Sequence, residues 1–202
     1  MFKRFVVFFF IVATAPFIHP ATSRAAEGAP VISLPEAGRV ITLSAEGFLA
    51  GESVSMEVPM RTDGTDSVHF SIGRDSPNGT RILAIYGDRG ETLGAMLPET
   101  LVGLDDYGEM EENAMISLGA YDLDGDGVSE VIIASTDGAA LLGAAIFRYE
   151  AREHERFRIT GMIEGQRQLA IEPDGAITAP FGSRGLFTRY RLAPDGTINQ
   201  VE

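Results

Sequence analysis

The sequence ISLGAYDLDGDGVSEVIIA, from Ile116 to Ala134, places an acidic loop rich in glycine between two short apolar runs. The second run, Val131 to Ala134, consists mostly of β-branched residues, which favours a buried strand. Turn-forming aspartates and glycines separate the two runs. We therefore expect two antiparallel strands joined by the acidic loop.

The remainder of the chain after residue 26 has the same organisation. Apolar residues do not keep a helical spacing for long, and short apolar runs bounded by turn residues recur about every ten residues. This pattern predicts an all-β fold of antiparallel hairpins, either propeller-like or a β-sandwich. The predicted strands are Val31–Leu34, Arg39–Leu43, Ser53–Val58, Ser67–Ile72, Arg81–Tyr86, Met115–Ala120, Glu130–Ala134, Ala140–Tyr149, Glu155–Ile163, Gln168–Ile171, Ala176–Ala179, Leu186–Leu192 and Thr197–Val201. Turns are predicted at Asp63-Gly64, Asn78-Gly79, Asp137-Gly138, Asp174-Gly175 and Asp195-Gly196.

Two segments near the C-terminus share one pattern: an apolar residue, any residue, Pro-Asp-Gly, any residue, then isoleucine. They are Ile171–Ile177 and Leu192–Ile198. Each segment predicts a strand, a tight turn and a second strand, which is the smallest unit of a repeating β architecture. Chance recurrence of a common hairpin turn is the alternative.

Oxygen-bearing groups alternate through the acidic loop in a pattern suited to a calcium ion. Calcium takes six to eight oxygen ligands at about 2.3–2.6 Å, and a tight loop turns alternate side chains towards one centre. The predicted ligands are the carboxylates of Asp122, Asp124 and Asp126, the backbone carbonyl of Val128 and the carboxylate of Glu130.

The loop differs from an EF-hand at its far end. Its twelfth position is Ile133, which has no carboxylate to close the site, so Glu130 at the ninth position is expected to do so. Gly127 stands where the chain must bend sharply. A buried strand, and not an exit helix, follows. These features predict a calcium loop within a β-hairpin.

The alternative is a metal-free turn stabilised by hydrogen bonds from aspartate side chains to the backbone. Four acids within nine residues repel one another unless a cation is present, and extracellular calcium is abundant enough to fill weak sites with Kd of about 10⁻⁴–10⁻³ M. We therefore expect a structural calcium ion at this loop.

The segment from Ile116 to Tyr149, with AYDLDGDGVSEVIIAS at its centre, resembles a single repeat of the FG-GAP/VCBS type. Such repeats form calcium-binding hairpins in the propeller blades of integrin alpha chains and of many bacterial exported proteins. The resemblance implies the same five ligands, which are Asp122, Asp124, Asp126, the carbonyl of Val128 and Glu130.

The first residues have the three-part layout of a secretory signal peptide. Lys3 and Arg4 precede an unbroken apolar run, Phe5–Val12, and a region of small residues follows. The apolar run is shorter than the roughly 20 residues of a membrane-spanning helix. We expect cleavage of residues 1–25, no stable membrane span afterwards, and a single β-rich domain at 26–202. An uncleaved anchor is the alternative.

The composition of the chain limits the classes of function that it can have. The chain has 202 residues, 45% of them hydrophobic, which suffices for one core. Its 16 basic and 29 acidic residues give a net charge of −13, which argues against nucleic acids and anionic membranes and favours cations. Cleavage removes Lys3, Arg4 and Arg24, so the charge becomes −16 and no lysine remains for lysine-based catalysis. The absence of cysteine excludes disulfides.

No catalytic residues are predicted. His69 and His154 lack any serine and acid at a spacing that would mark a catalytic base, and no nucleophile elbow, zinc-protease motif or phosphate loop occurs. Asp105 and Asp106 lie in the acidic stretch Leu104–Asn113. This stretch is expected to be a solvated loop or a short exposed helix, and a solvated loop is favoured over a glycosidase carboxylate pair.

The segment from Pro180 to Phe187 carries Arg184 between glycines, with an aromatic residue near each end. It predicts either an exposed binding loop, in which the guanidinium meets an acidic group, or a turn whose aromatics fill the core.

Taken together, these features predict an exported bacterial calcium-binding β-domain, periplasmic or secreted, that acts as a binding or interaction module for a protein or glycan ligand. An exported hydrolase with an unrecognised carboxylate site and a structural envelope component are the alternatives.

Overall fold

A computed structural model describes residues 30–36, 38–52, 54–59, 67–74, 81–87, 92–95, 101–104, 110–149 and 157–201. The segment predicted to be a signal peptide, together with Asp63-Gly64, Asn78-Gly79, Asp105, Asp106 and His154, lies outside these residues. The described part is all-β, as predicted. Its strands are β1 (Ile32–Ser33), β2 (Arg39–Ser44), β3 (Val54–Pro59), β4 (Ser67–Arg74), β5 (Arg81–Gly87), β6 (Thr92–Ala95), β7 (Met115–Tyr121), β8 (Glu130–Thr136), β9 (Leu142–Tyr149), β10 (Phe157–Gly165), β11 (Leu169–Ile171), β12 (Ile177–Phe181), β13 (Leu186–Leu192) and β14 (Ile198–Val201), and its helix is α1 (Ala45–Leu49).

The strands form three sheets. The central sheet has the order β10-β9-β8-β7-β2 and is antiparallel throughout. The C-terminal sheet has the order β1-β11-β12-β13-β14, and its edge strand β1 is parallel to β11. The small sheet has the order β3-β4-β5-β6. Consecutive strands are mostly neighbours, as expected for hairpins and meanders.

The central sheet is buried on both faces. All seven residues of β8 are buried, and successive side chains point to opposite faces. Val131 and Ile133 belong to one apolar cluster, together with Phe48 of α1 and residues of β3. Ile132 and Ala134 belong to the other, together with residues of the C-terminal sheet. This two-sided burial explains why Val131–Ala134, in the middle of β8, is a continuous apolar run with no polar alternation.

Every predicted strand is found, with bounds within two residues of those predicted wherever the chain is described. Two elements were missed. The helix α1 is about one turn long and is capped at its N-terminus by Ser44, whose hydroxyl accepts a hydrogen bond from the N–H of Gly47. Strand β6, Thr92–Ala95, has no apolar alternation that would indicate a strand.

The repeated Pro-Asp-Gly pattern forms two turns of the same geometry, one joining β11 to β12 and the other joining β13 to β14. In each, the aspartate carboxylate accepts a hydrogen bond from the N–H two residues later, Ala176 to Asp174 at 3.1 Å and Thr197 to Asp195 at 3.0 Å. The glycines of both turns have positive φ, +77° at Gly175 and +78° at Gly196. The pattern therefore specifies the turn.

Across the described ranges, none of the helical structure is long and apolar enough to cross a membrane.

Candidate metal centre

The acidic loop connects β7 to β8, so the predicted loop within a hairpin is confirmed. The last strand pair before the loop is Tyr121 with Glu130. The chain turns within the loop at Gly125 and Gly127, whose φ values are +76° and +84°. Residues with a β-carbon rarely adopt these values, so the expected bend at Gly127 is confirmed.

The Asp122 side chain shapes the loop. One carboxylate oxygen accepts a hydrogen bond from the N–H of Gly125 at 2.8 Å, and the other accepts one from the N–H of Gly127 at 3.0 Å. The remaining aspartates make similar local bonds, Asp126 N–H to Asp124 at 3.2 Å and Val128 N–H to Asp126 at 2.8 Å. These bonds stabilise the loop as aspartate-capped turns do elsewhere.

Three of the predicted ligands converge. Asp122, Asp124 and Glu130 each place a carboxylate oxygen within 4.8 Å of the other two. The three residues come from the start, the middle and the end of the loop, so the turns at the two glycines are what bring them together. Such a group of hard oxygen donors can hold a metal ion.

Glu130 provides a test of whether these residues fit a cation. The residue is 0% exposed, and its Oε2 accepts a hydrogen bond from the N–H of Leu123 at 2.9 Å. Its Oε1 is buried and has no hydrogen-bond partner within the described part of the chain. A buried polar atom without a hydrogen-bond partner costs roughly 1–3 kcal/mol of stability, and the cost is higher when the group is charged. A cation bound between the three carboxylates would provide the missing partner.

The pKa shifts of the loop carboxylates also favour a bound cation. Burial raises the pKa of Glu130 to about 8, and the nearby Asp124 carboxylate adds to the rise. Burial also raises the pKa of Asp124 above its usual value, with a further contribution from the charge of Asp126. Both carboxylates are therefore costly to ionise in this surrounding, and a divalent cation would offset that cost.

Arg148, on β9, contacts the outer side of the loop. Its Nη1 lies 3.2 Å from Asp124 Oδ2, and its Nη2 lies 2.9 Å from Asp126 Oδ2. The Asp126 carboxylate therefore faces the guanidinium and is not part of the three-carboxylate group. The loop sequence alone gives no indication of Arg148. Arg148 could have been found only from the register of β8 and β9. These antiparallel strands pair Val131 with Phe147, so the next position places Arg148 opposite Glu130.

The two Pro-Asp-Gly turns lie next to this loop. The Tyr121 hydroxyl donates a hydrogen bond to the Pro173 carbonyl at 3.5 Å, from the end of β7 to the first turn. A β-carbon on Gly196, in the second turn, would lie 3.4 Å from Arg148 Nη1. The candidate metal centre is thus held between the central sheet and one end of the C-terminal sheet.

The other predicted candidates lie away from this group. His69 is exposed on β4 of the small sheet, opposite Glu57. The Pro180–Phe187 segment forms the end of the β12–β13 hairpin, where Phe181 is 43% exposed and Phe187 is 60% exposed. The interpretation that these aromatics fill the core is therefore wrong.

A shallow cavity lies beside this hairpin on the C-terminal sheet. Its volume is about 330 Å³, and it is lined by Glu172, Thr178, Pro180, Phe187 and Arg189. The Thr178 hydroxyl donates a hydrogen bond to Glu172 at 3.4 Å, so the two polar side chains are already paired.

Comparison with protein-family models, curated proteins and solved structures gives no match to this chain. The resemblance to the FG-GAP/VCBS repeat thus stays a prediction from the sequence of Ile116 to Tyr149.

Proposed function

We propose that the loop from Asp122 to Glu130 binds one structural calcium ion. The observation that carries this proposal is the Oε1 atom of Glu130, which is buried beside two other carboxylates and lacks a partner among the described residues. Glu130 is a predicted ligand, and its place at the end of the loop is that of the group that closes the site.

Calcium is favoured over other ions because all predicted donors are oxygens. Zinc and softer metals prefer histidine and cysteine, and the loop contains neither. Calcium also accepts irregular coordination and a variable number of waters, whereas magnesium requires a near-ideal octahedron. Asp126 and the Val128 carbonyl complete the predicted ligand set.

The role proposed for the ion is to stabilise the β7–β8 hairpin. An ion that binds only the folded chain adds about 2.7 kcal/mol to the free energy of unfolding at one hundred times its Kd. Because β8 contributes to both apolar clusters, stabilising its first residue stabilises the contact between the sheets.

Thermal unfolding of the protein in calcium and in EGTA tests this proposal. We expect a lower Tm in EGTA, and we expect Glu130→Gln and Asp124→Ala to remove the difference. Asp195→Asn is the matched control, because Asp195 belongs to an exposed turn outside the carboxylate group, and it should keep the calcium response. An unchanged Tm in EGTA would show that no structural calcium is bound.

The wider function we propose is that of an exported bacterial binding or interaction module of the FG-GAP/VCBS kind. An interaction module is expected to expose apolar side chains near the glycine-rich segment. Phe181, Leu186 and Phe187 support this, since each is more than two-fifths exposed at the end of one hairpin. A hydrolase is expected to have a cleft lined by several carboxylates, and the cavity on the C-terminal sheet is lined by one, Glu172.

Export has its own test. The mass of the protein recovered from outside the cytoplasm should correspond to a chain that begins near Ala26. A full-length mass would contradict cleavage of the signal peptide.

A further inference from the structure

We infer that Arg148 is a built-in counter-cation of the calcium loop that sets its affinity for the ion. This inference rests on the proposed function, because it concerns the same carboxylates. It adds a residue outside the loop, on a different strand, that no ligand pattern includes.

The contacts of Arg148 are specific. One guanidinium nitrogen contacts Asp124, a member of the three-carboxylate group, and another contacts Asp126, a predicted ligand that the group does not include. The side chain of Arg148 is 18% exposed and that of Asp124 is 15% exposed, so solvent screens this pair less than a surface ion pair. The guanidinium carries a positive charge and a planar set of donors that suits carboxylates.

Arg148 competes with calcium for the same carboxylates. A guanidinium and a calcium ion repel each other, and each is attracted to Asp124 and Asp126. For Asp126 to ligate the ion through Oδ2, this oxygen must exchange its contact of 2.9 Å with Arg148 for one with calcium. The ion therefore binds against a positive charge that is already in place, which weakens its affinity.

Arg148 also stabilises the loop without the ion. Three aspartates and one glutamate lie within nine residues, and the guanidinium offsets part of their mutual repulsion. Removal of Arg148 is therefore expected to have two opposite effects: the calcium-free protein becomes less stable, and calcium binds more tightly. A side chain that only packs against the loop would not produce the second effect.

Calorimetric titration of the protein with calcium chloride tests this inference. We expect Arg148→Gln to lower the Kd for calcium about tenfold, the scale of one nearby charge in a partly screened site. The same variant should have a lower Tm than the wild type in EGTA. Arg189→Gln is the matched control, since Arg189 pairs with Asp174, which lies outside the three-carboxylate group, and it should leave the Kd unchanged.

The outcomes separate this inference from the proposed function. If the wild type binds calcium and Arg148→Gln binds it with the same Kd, the inference is overturned and the proposed function stands. Binding by Arg148→Gln but not by the wild type supports the inference and contradicts the proposed function. Absence of binding in both overturns the two together.

A milder variant covers the case in which Arg148→Gln does not fold. Arg148→Lys keeps one positive charge but lacks the planar guanidinium that contacts two carboxylates. We therefore expect its Kd for calcium to lie between that of the wild type and that expected for Arg148→Gln. A wild-type Kd in Arg148→Lys would contradict a role for the bridging contact.

Discussion

The backbone carbonyl oxygen of Leu123 lies where a β-carbon on Gly175 would have to stand. Leu123 belongs to the acidic loop, and Gly175 belongs to the turn between β11 and β12, so the central and C-terminal sheets meet here backbone to backbone. The Leu123 side chain is 2% exposed, in the apolar cluster that these sheets share. The position of the loop therefore depends on a glycine some fifty residues away in sequence.

Gly175→Ala is expected to destabilise the protein more than its turn geometry alone requires. A positive φ costs alanine about 1–2 kcal/mol, and overlap with a backbone atom, which cannot rotate away, adds about 1–3 kcal/mol. Urea unfolding monitored by circular dichroism measures the sum as a shift in midpoint.

Two other glycines serve as controls for this prediction. Gly196 occupies the equivalent position of the second Pro-Asp-Gly turn, with a φ of +78° against +77° at Gly175. A β-carbon there would first meet the flexible end of Arg158 and not a backbone atom. Gly182 has a positive φ with open space around it. Alanine at Gly182 should show the conformational cost alone, and alanine at Gly196 should add only the small cost of displacing a flexible arginine end. An equal loss at Gly175 and Gly182 would disprove the importance of the contact with Leu123.

Ser117→Ala is expected to lower the free energy of unfolding by about 1–3 kcal/mol, because it leaves a buried N–H without a partner. Ser117 is 0% exposed in β7, and its hydroxyl oxygen accepts a hydrogen bond from the N–H of Val31 at 3.0 Å. The same hydroxyl bonds the Thr42 hydroxyl at 2.9 Å. One serine thus ties the start of β1 to the central sheet. Chemical denaturation measures the loss.

Ser33→Ala provides the comparison, since Ser33 is exposed in β1 and the same atom is removed. We expect a change within about 0.5 kcal/mol, as is usual for surface positions. Losses of similar size in the two variants would contradict the role assigned to the buried hydroxyl.

The turn between β11 and β12 is expected to weaken in acid. The hydrogen bond from the Ala176 N–H, and then that from Arg191, hold the pKa of Asp174 below its usual value. The ionised carboxylate is therefore favoured in the folded state. Its contribution to stability is fully present above the unfolded pKa, about 3.9, and is lost as pH falls through the lower folded pKa.

Asp174→Asn isolates this contribution. Asparagine can still accept from the Ala176 N–H but has no charge for Arg189 and Arg191. The difference in urea midpoint between wild type and variant should be clear at about pH 6 and should shrink at about pH 2.5. A difference that stays constant between these pH values would contradict the assignment.

Much of this fold is predictable from sequence because its strands are short apolar runs between strong turn signals. The Pro-Asp-Gly turns are the clearest case, since a proline, an aspartate acceptor and a glycine with positive φ each have a fixed local role. The acidic loop is predictable for the same reason: its carboxylates and glycines alternate within nine residues. Local chemistry determined these features, so a single sequence was sufficient.

What was missed depends on contacts between distant residues. Arg148 reaches the loop only through the register of β8 and β9, and a run of apolar residues does not specify its register by itself. The helix α1 has a five-residue sequence with a glycine in its middle, and burial of Phe48 stabilises it more than helix propensity does. The exposure of Phe181 and Phe187 likewise depends on which sheet face is covered.

The complete burial of β8 also has a consequence for the chain before it folds. Val131–Thr136 is a short, uncharged stretch rich in β-branched residues, the kind of segment that pairs with copies of itself when exposed. Glu130 stands directly before this stretch, and Asp137 follows the end of β8. In a newly synthesised polypeptide these carboxylates repel the same carboxylates of neighbouring chains at both ends of the aggregation-prone segment. Glu130, which we assign to ion binding in the native state, thus also guards against aggregation before that state exists.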